Sequence, residues 1–413
     1  MTNEANFASG STPQGLTFLE NTDNRGTEGV IPGIKPYRQH ESTFGIDYQL
    51  ARNWAFEGRW DRRRVDHVIE DAAIYNADSG VETFVNVNPG EGLNSTFNGF
   101  SNFLYGSAGP TCDPSVCPMY RASRRYDGVE LRLTKAQSSN WGGMFSYTYS
   151  KLRGNYDGLT STDELDGFGG RNAPNNSRAF DEPYFQSTSH GTSADGILPT
   201  DRPNKLKGYG YYRLPWGGRN TTTIGWFQTA LQGTPQSTFM DVGYACCSEP
   251  IFPQYVEGRG KWANVSLDPN TGNITLNGVS TYRTPWFTQS DVQVSHEIKV
   301  NKNNESQVLG FEMNVTNLFN QRAITAYWDG MNSLVSTRAL YPGNHFIVSD
   351  GQYQAYMSPY DWVSTFNNNQ LDTFDSNGNP ITLNRPVIAS SWYGKPYLFQ
   401  QSRAIRFQVR FTF

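Results

Sequence analysis

Ile405-Arg406-Phe407-Gln408-Val409-Arg410-Phe411-Thr412-Phe413 alternates strictly: every odd position is apolar and every even position polar. Successive side chains of a strand point to opposite faces, so the segment predicts a strand with one greasy and one wet face. A half-buried strand of a soluble sandwich would alternate in the same way. Two features favour a membrane: arginines on the polar face suit a hydrated lumen, and the last residue is aromatic. Ile405, Phe407, Val409, Phe411 and Phe413 are then expected to face lipid, and Arg406, Gln408 and Arg410 the interior.

The alternation recurs upstream, in pairs. Phe44, Ile46, Tyr48 and Leu50 alternate with polar or small residues, and after Ala51-Arg52-Asn53 the phase resumes with Trp54, Phe56 and Trp60. Val129, Leu131 and Leu133 alternate with Glu130, Arg132 and Thr134, and a polar turn near Ser138 to Asn140 leads to Phe145, Tyr147 and Tyr149. Lys205 to Leu214 and Thr221 to Leu231 form another pair around Pro215-Trp216-Gly217-Gly218, although adjacent Tyr211 and Tyr212 leave its facing open. Val292, Val294, Ile298 and Val300 precede a connector at Asn301 to Glu305, after which come Leu309, Phe311, Met313 and Val315. With the final segment this makes about nine strands, where a membrane crossing needs about 9–11 residues per strand.

The connectors set the architecture. Short turns alternate with long stretches at roughly 71–120, 153–202, 234–283 and 323–402, rich in Asn, Gly, Ser, Asp and Pro. Loops of this length are uncommon in compact soluble domains. Short turns at one end and long loops at the other are the pattern of outer-membrane barrels. The fold class expected is all-β: an antiparallel transmembrane β-barrel, partial, as an open curved sheet of about nine strands with long extracellular loops.

The composition narrows the alternatives. Aromatic residues make up 14% and charged residues 17%, which disagrees with a disordered chain. No stretch approaches 18 consecutive apolar residues, so helices do not span a bilayer. A closed sheet needs apolar residues only at alternate positions and tolerates the mean hydropathy of -0.61. Net charge is -4, and the densest basic cluster, Arg62 to Arg64, is flanked by Asp61 and Asp66, so nucleic acid is not an expected partner.

Motifs for chemistry are scarce. Gly258-Arg259-Gly260-Lys261-Trp262-Ala263 matches the letters of a dinucleotide fingerprint, but Pro253 to Glu257 precede it and no helical spacing follows, so a glycine turn is expected. Asp163-Glu164-Leu165-Asp166 and Asp372 to Asn379 lack calcium-loop spacing and read as solvated turns. His296 lies in phase with the apolar side of its strand, with no catalytic partner that can be placed. No catalytic, metal or cofactor residues are expected. Cys112 and Cys117 enclose a short Pro-containing loop and are expected to form a disulfide in an oxidising compartment, while Cys246 and Cys247 are adjacent and carry no expectation.

Tyr126-Asp127-Gly128-Val129-Glu130-Leu131-Arg132-Leu133-Thr134-Lys135 resembles TonB-dependent receptors of the Oar-like, OmpA-related group. So do Ser146 to Leu152, Gly154-Asn155-Tyr156-Asp157-Gly158, Asp201-Arg202-Pro203 and Asn317-Leu318-Phe319-Asn320, in this order. The resemblance implies a twenty-two-stranded barrel around an N-terminal plug. It also implies uptake of a bulky ligand driven through contact of the plug with TonB, and no enzymatic activity. The ending on Phe413, with Phe407, Val409 and Phe411, resembles the signal read by the barrel-assembly machinery. Outer-membrane lipid and that machinery are the implied partners, with TonB reached only through a plug that this sequence lacks.

Residues 1–36 are expected to be the tail of an extracellular loop and residues 37–413 the C-terminal part of the barrel. Met1-Thr2-Asn3-Glu4 opens no secretory signal, and an odd strand count leaves unpaired edges, so the sequence reads as a fragment of a longer protein. The rival from another class is a soluble or surface carbohydrate-binding β-protein, favoured by 10 Trp and 23 Tyr. Against it, the aromatics follow strand phase and strand ends, as membrane girdles do.

Overall fold

A computed structural model describes residues 29–76, 81–108, 119–158, 180, 188, 192–242, 252–267, 274–300, 307–331 and 390–413, with short strand pieces at 348–349, 352–353, 371–374 and 380–383. Nine long strands form one antiparallel sheet in chain order. They are β1 (Arg38–Ala51), β2 (Trp54–His67), β3 (Arg124–Ser138), β4 (Trp141–Gly154), β5 (Asn204–Trp216), β6 (Asn220–Leu231), β7 (Phe287–Lys299), β8 (Val308–Thr316) and β9 (Ala404–Thr412). The two-residue strand Gly196–Ile197 adds to the end of β4.

Tight chemistry sets the turns. Ser139 and Asn140, between β3 and β4, both take positive φ (50° and 69°), the requirement of a two-residue turn whose twist matches the sheet. Gly217 and Gly218, at φ 55° and 77°, supply the left-handed residues between β5 and β6. All the short turns therefore lie at one end of the sheet. The connections β2–β3, β4–β5, β6–β7 and β8–β9 are long and leave from the other end.

The register makes two continuous faces. Residues directly opposite in an antiparallel pair share a face. One row runs Phe44, Trp60, Val129, Tyr149, the next Ile46, Gly58, Leu131, Tyr147, and the one after it Tyr48, Phe56, Leu133, Phe145. Further along the same face, Tyr212, Ile224, Val294, Met313 and Phe407 form one row, flanked by a row of Trp226, Val292, Val315 and Ile405. The facing of β5 is thereby resolved: Tyr212 joins the apolar face and Tyr211 the opposite one.

This apolar face is uncovered. Phe44, Tyr48, Phe407 and Val409 are 72%, 62%, 75% and 65% exposed. A contiguous apolar surface running across nine strands is far beyond what a soluble monomer presents. The opposite face is polar and internally paired. Arg59 contacts Asp61 at 2.9 Å and Glu130 at 3.3 Å, Arg132 pairs with Glu57, and Gln293 donates to Glu312 at 2.8 Å.

β1 and β9 occupy the two ends of the strand order, and the sheet is open. Edge backbone groups on both strands are left without ladder partners among the described residues. The long connections contain more regular structure than turn-rich composition suggests. Glu70–Asn76 pairs with Val81–Val87, which also takes Gly29–Val30 in parallel. Phe239–Val242 pairs with Phe252–Tyr255, and Trp262–Leu267 with Ile274–Ser280. Helix α1 (Phe97–Tyr105) starts at Thr96, whose hydroxyl accepts from the Gly99 amide at 3.1 Å. No helix among the described residues is long and apolar enough to cross a membrane.

Candidate functional site at the loop end of the sheet

The polar face ends at the loops in a pocket of about 450 Å³, lined by Arg63, Arg124, Tyr126, Asp201, Arg202 and Lys205 among others. Strand parity sends Arg63, Tyr126 and Lys205 to the same side as Arg59 and Glu130, so the pocket opens on the face that would line a lumen. Arg63 binds Glu41 at 2.9 Å, Arg124 donates to the Asp157 carbonyl at 2.8 Å, and Arg202 donates to the Gln232 carbonyl at 2.9 Å. Four cations against Asp201 give the pocket a positive bias suited to anionic or strongly polar ligand groups.

The sequence motifs act as fasteners around this pocket. Asp201 accepts from the Leu152 amide at 2.7 Å and from Arg283 at 2.5 Å, tying β4 to the connection before β7. The Pro203 carbonyl accepts from the Ser150 amide at 2.9 Å. The Asp-Arg-Pro run therefore fixes where the top of β5 meets its neighbours. Asn317 and Asn320 both adopt positive φ, 54° and 52°, in the turn that leaves β8. Asn317 donates to the Gln321 and Gln401 carbonyls, each at 2.8 Å, while its own amide reaches Asp291 at 2.8 Å. Asn320 accepts from the Arg403 amide at 3.0 Å, so this motif sets the entry to β9.

Gly154 to Gly158 anchors the loops. Asn155 accepts from the Ser123 amide at 2.7 Å and donates to the Arg121 carbonyl at 3.0 Å. Tyr156 is buried with Val68, Ala122 and Phe180. Asp157 binds Arg259 at 3.2 Å, both side chains almost wholly buried at 2% and 0% exposure, and Arg259 also lies 4.5 Å over the Tyr255 ring. Arg259 is the key residue the sequence did not reveal. Its flanking Gly258 and Gly260 take φ 105° and 71°, which explains the misleading fingerprint as a glycine turn presenting a buried arginine.

The terminal-strand residues lie where parity put them relative to each other: Ile405, Phe407, Val409 and Phe411 continue the apolar rows, and Arg406, Gln408 and Arg410 the polar ones. The rings of Phe411 and Phe413 stack with centroids 6.0 Å apart. His296 sits on the apolar face beside Thr222, at 2.8 Å. Among the described residues, no group of three or more His, Cys, Asp or Glu is arranged to hold a metal. Cys112, Cys117, Cys246, Cys247 and the Asp163–Asp166 run lie outside the described residues, as do most of Asp372–Asn379.

The aromatics are not confined to strands. Trp262 stacks on Tyr393 at 4.7 Å and touches Tyr282 at 5.3 Å, and Trp328 packs on Tyr397 at 4.5 Å. Trp262 and Tyr393 turn ring faces to each other, and this cluster holds the loop unit together.

Over 313 residues the chain is 25% identical to the TonB-dependent transporter Oar of Myxococcus xanthus, which covers 75% of this chain. The chain is homologous to TonB-dependent transporters of the outer membrane. It spans 23% of that relative's length. No family model matches. Among solved structures it is similar to the outer membrane transporter YddB of Escherichia coli, with a TM-score of 0.41 and 9% identity over 73% of this chain and 32% of that one. It is also similar to the ferric-catecholate import receptor Fiu of E. coli K12, with a TM-score of 0.33 and 13% identity over 71% of this chain and 25% of that one.

Proposed function

We propose that residues 37–413 are the C-terminal part of the barrel wall of a TonB-dependent transporter, and residues 1–36 the end of a preceding extracellular loop. The observation that carries this reading is the pair of continuous faces, one apolar across all nine strands and one polar and ion-paired, with every long connection at one end. Lipid cannot solvate the open edges of β1 and β9, so further strands of the same barrel would pair with them. The role is passage of a bulky ligand, without catalysis. The loop-end pocket would act as an early contact for anionic or polar groups of the cargo, and TonB would act through a plug outside this chain. Its assembly would start from the strand ending in Phe413.

Site-directed spin labels along β9 test the reading. Labels at Phe407 and Val409 should collide with membrane-dissolved oxygen, and labels at Arg406 and Gln408 with a water-soluble relaxation agent. The reversed pattern, or equal water access at all four, would overturn it.

A further inference from the structure

The apolar face changes character within one strand step of the aromatic row Phe44, Trp60, Val129 and Tyr149. The next same-face row towards the loops is Ser42, Arg62, Asp127 and Lys151, and the one beyond it is His40, Arg64, Arg125, Arg153 and Ile197. Each step is about 7 Å along a strand. These cations are therefore on the side that meets lipid, opposite in parity to the pocket on the polar face. With Lys261, which directly precedes the loop strand Trp262–Leu267, five of the cations (Arg64, Arg125, Lys151, Arg153 and Lys261) line an open groove of about 550 Å³, and Arg259, already paired with Asp157, forms part of its wall.

Charge pairing inside the groove is incomplete. Asp127 lies 3.5 Å from both Arg62 and Arg64, and Asp195 binds Arg125 at 2.8 Å. Lys151, Arg153 and Lys261 have no carboxylate partner among the described residues. Six cations thus face two carboxylates at the edge of an apolar surface, where long basic side chains lay their stems along hydrocarbon and offer charge to head groups. A cargo-binding role would call for the opposite strand parity.

We propose that this groove binds the phosphate groups of a phosphorylated glycolipid of the outer leaflet, whose acyl chains lie along Trp60, Val129 and Tyr149. The proposal rests on the reading that the apolar face meets lipid. Charge complementarity selects phosphate, and the continuity of the groove with the apolar rows selects a lipid over a free anion.

The test uses the protein extracted from its outer membrane in detergent, with lipid A as the probe and its dephosphorylated counterpart, phosphatidylglycerol and inorganic phosphate as comparison ligands. Lipid A should bind, and K151Q/R153Q/K261Q should weaken it roughly a hundredfold, since three charges at the head-group surface are lost together. R410Q, on the polar face, should leave binding unchanged. Loss of both phosphates should abolish the preference, and inorganic phosphate should not displace the lipid. Equal binding by the triple variant, equal loss in R410Q, or displacement by inorganic phosphate would overturn the proposal. A spin label at Leu131 separates the two readings. Oxygen contact there with unchanged lipid A binding in the triple variant removes only the groove, whereas water contact there removes the membrane reading itself.

Discussion

Arg410 on β9 reaches across Gly310 of β8 to Glu297 of β7, its Nη2 3.7 Å from the carboxylate Oε1. Glycine leaves room between two side chains that share the polar face, so an ion pair spans three strands. Both groups are well exposed, and such a pair stabilises by about 0–1 kcal/mol. Glu297→Gln should therefore barely change unfolding in urea. A loss well above that range would mean that the polar face is drier than a hydrated lumen allows.

One residue further along β9, the same change of charge should have a different effect. Phe411→Arg places a cation on the apolar face, which costs about 2–4 kcal/mol at mid-membrane depth and less towards the interface. The paired measurement is Arg410→Gln against Phe411→Arg, with folding read as heat-modifiable migration in the outer membrane. Equal tolerance of both would contradict the facing.

The buried pair Asp157–Arg259 should be the most sensitive point of the loop unit. Removing the carboxylate takes the ion-pair partner away from a buried guanidinium, and breaking a buried pair typically costs about 3–5 kcal/mol. Asp157→Asn should open the loops to limited proteolysis while the β1–β9 sheet stays folded. Joint replacement of both residues with apolar ones should recover much of the loss. Unchanged protease resistance in Asp157→Asn would show that the pair does not hold the loops.

Burial pushes the Glu70 carboxyl up to about 7 from its ordinary 4.5, opposed by the Tyr156 hydroxyl and assisted by the charge of Asp71. The folded loop thus prefers neutral Glu70, while an unfolded one ionises earlier. Loop stability should be fullest below about pH 4.5, fall as pH rises towards 7, and level off above, over a range of about 3 kcal/mol. Glu70→Gln should flatten this profile in hydrogen exchange of Glu70–Val87. A profile rising with pH in the unmodified protein would refute the assignment.

The strands were legible because alternation is a local signal with a period of two, repeated nine times. Even the ambiguous β5 needed only its neighbours' register to place Tyr211 and Tyr212. The loop structure was not legible. Arg259 meets Asp157 across a separation of 102 residues, and nothing local to Gly258-Arg259-Gly260 signals that partner. The lipid-side groove has the same origin: the parity of Arg62 and Arg64 can be read from the sequence, but Lys261 and Asp195 join them only through tertiary folding. Motifs such as Asp201-Arg202-Pro203 were recognisable as text, while their role as fasteners between strand tops depends on contacts with Leu152 and Arg283.

The disulfide expected between Cys112 and Cys117 stands as a proposal, since neither residue is among those described. The four intervening residues make a small ring that oxidation would close readily in an oxidising compartment. Intact-mass analysis without reductant should show no thiol labelling at either position. Full labelling of both would end the idea.

The open edges give the last prediction. β1 and β9 lie at opposite ends of the strand order, each with a row of backbone donors and acceptors that the sheet does not pair. In hydrocarbon each unsatisfied group costs several kcal/mol, so both edges must pair within the membrane. If this chain closed on itself, β1 and β9 would be neighbours, and cysteines at Gly45 and Arg410 could be brought together by a shift of register. If the barrel is completed by other strands, no register brings them close. Cysteine pairs scanned from Gly45 along β9 should therefore form no disulfide in the assembled protein, whereas pairs across β8 and β9, such as Phe311 with Val409, should cross-link readily. A strong Gly45 cross-link to any β9 position would show a nine-strand closure and remove the need for strands from elsewhere.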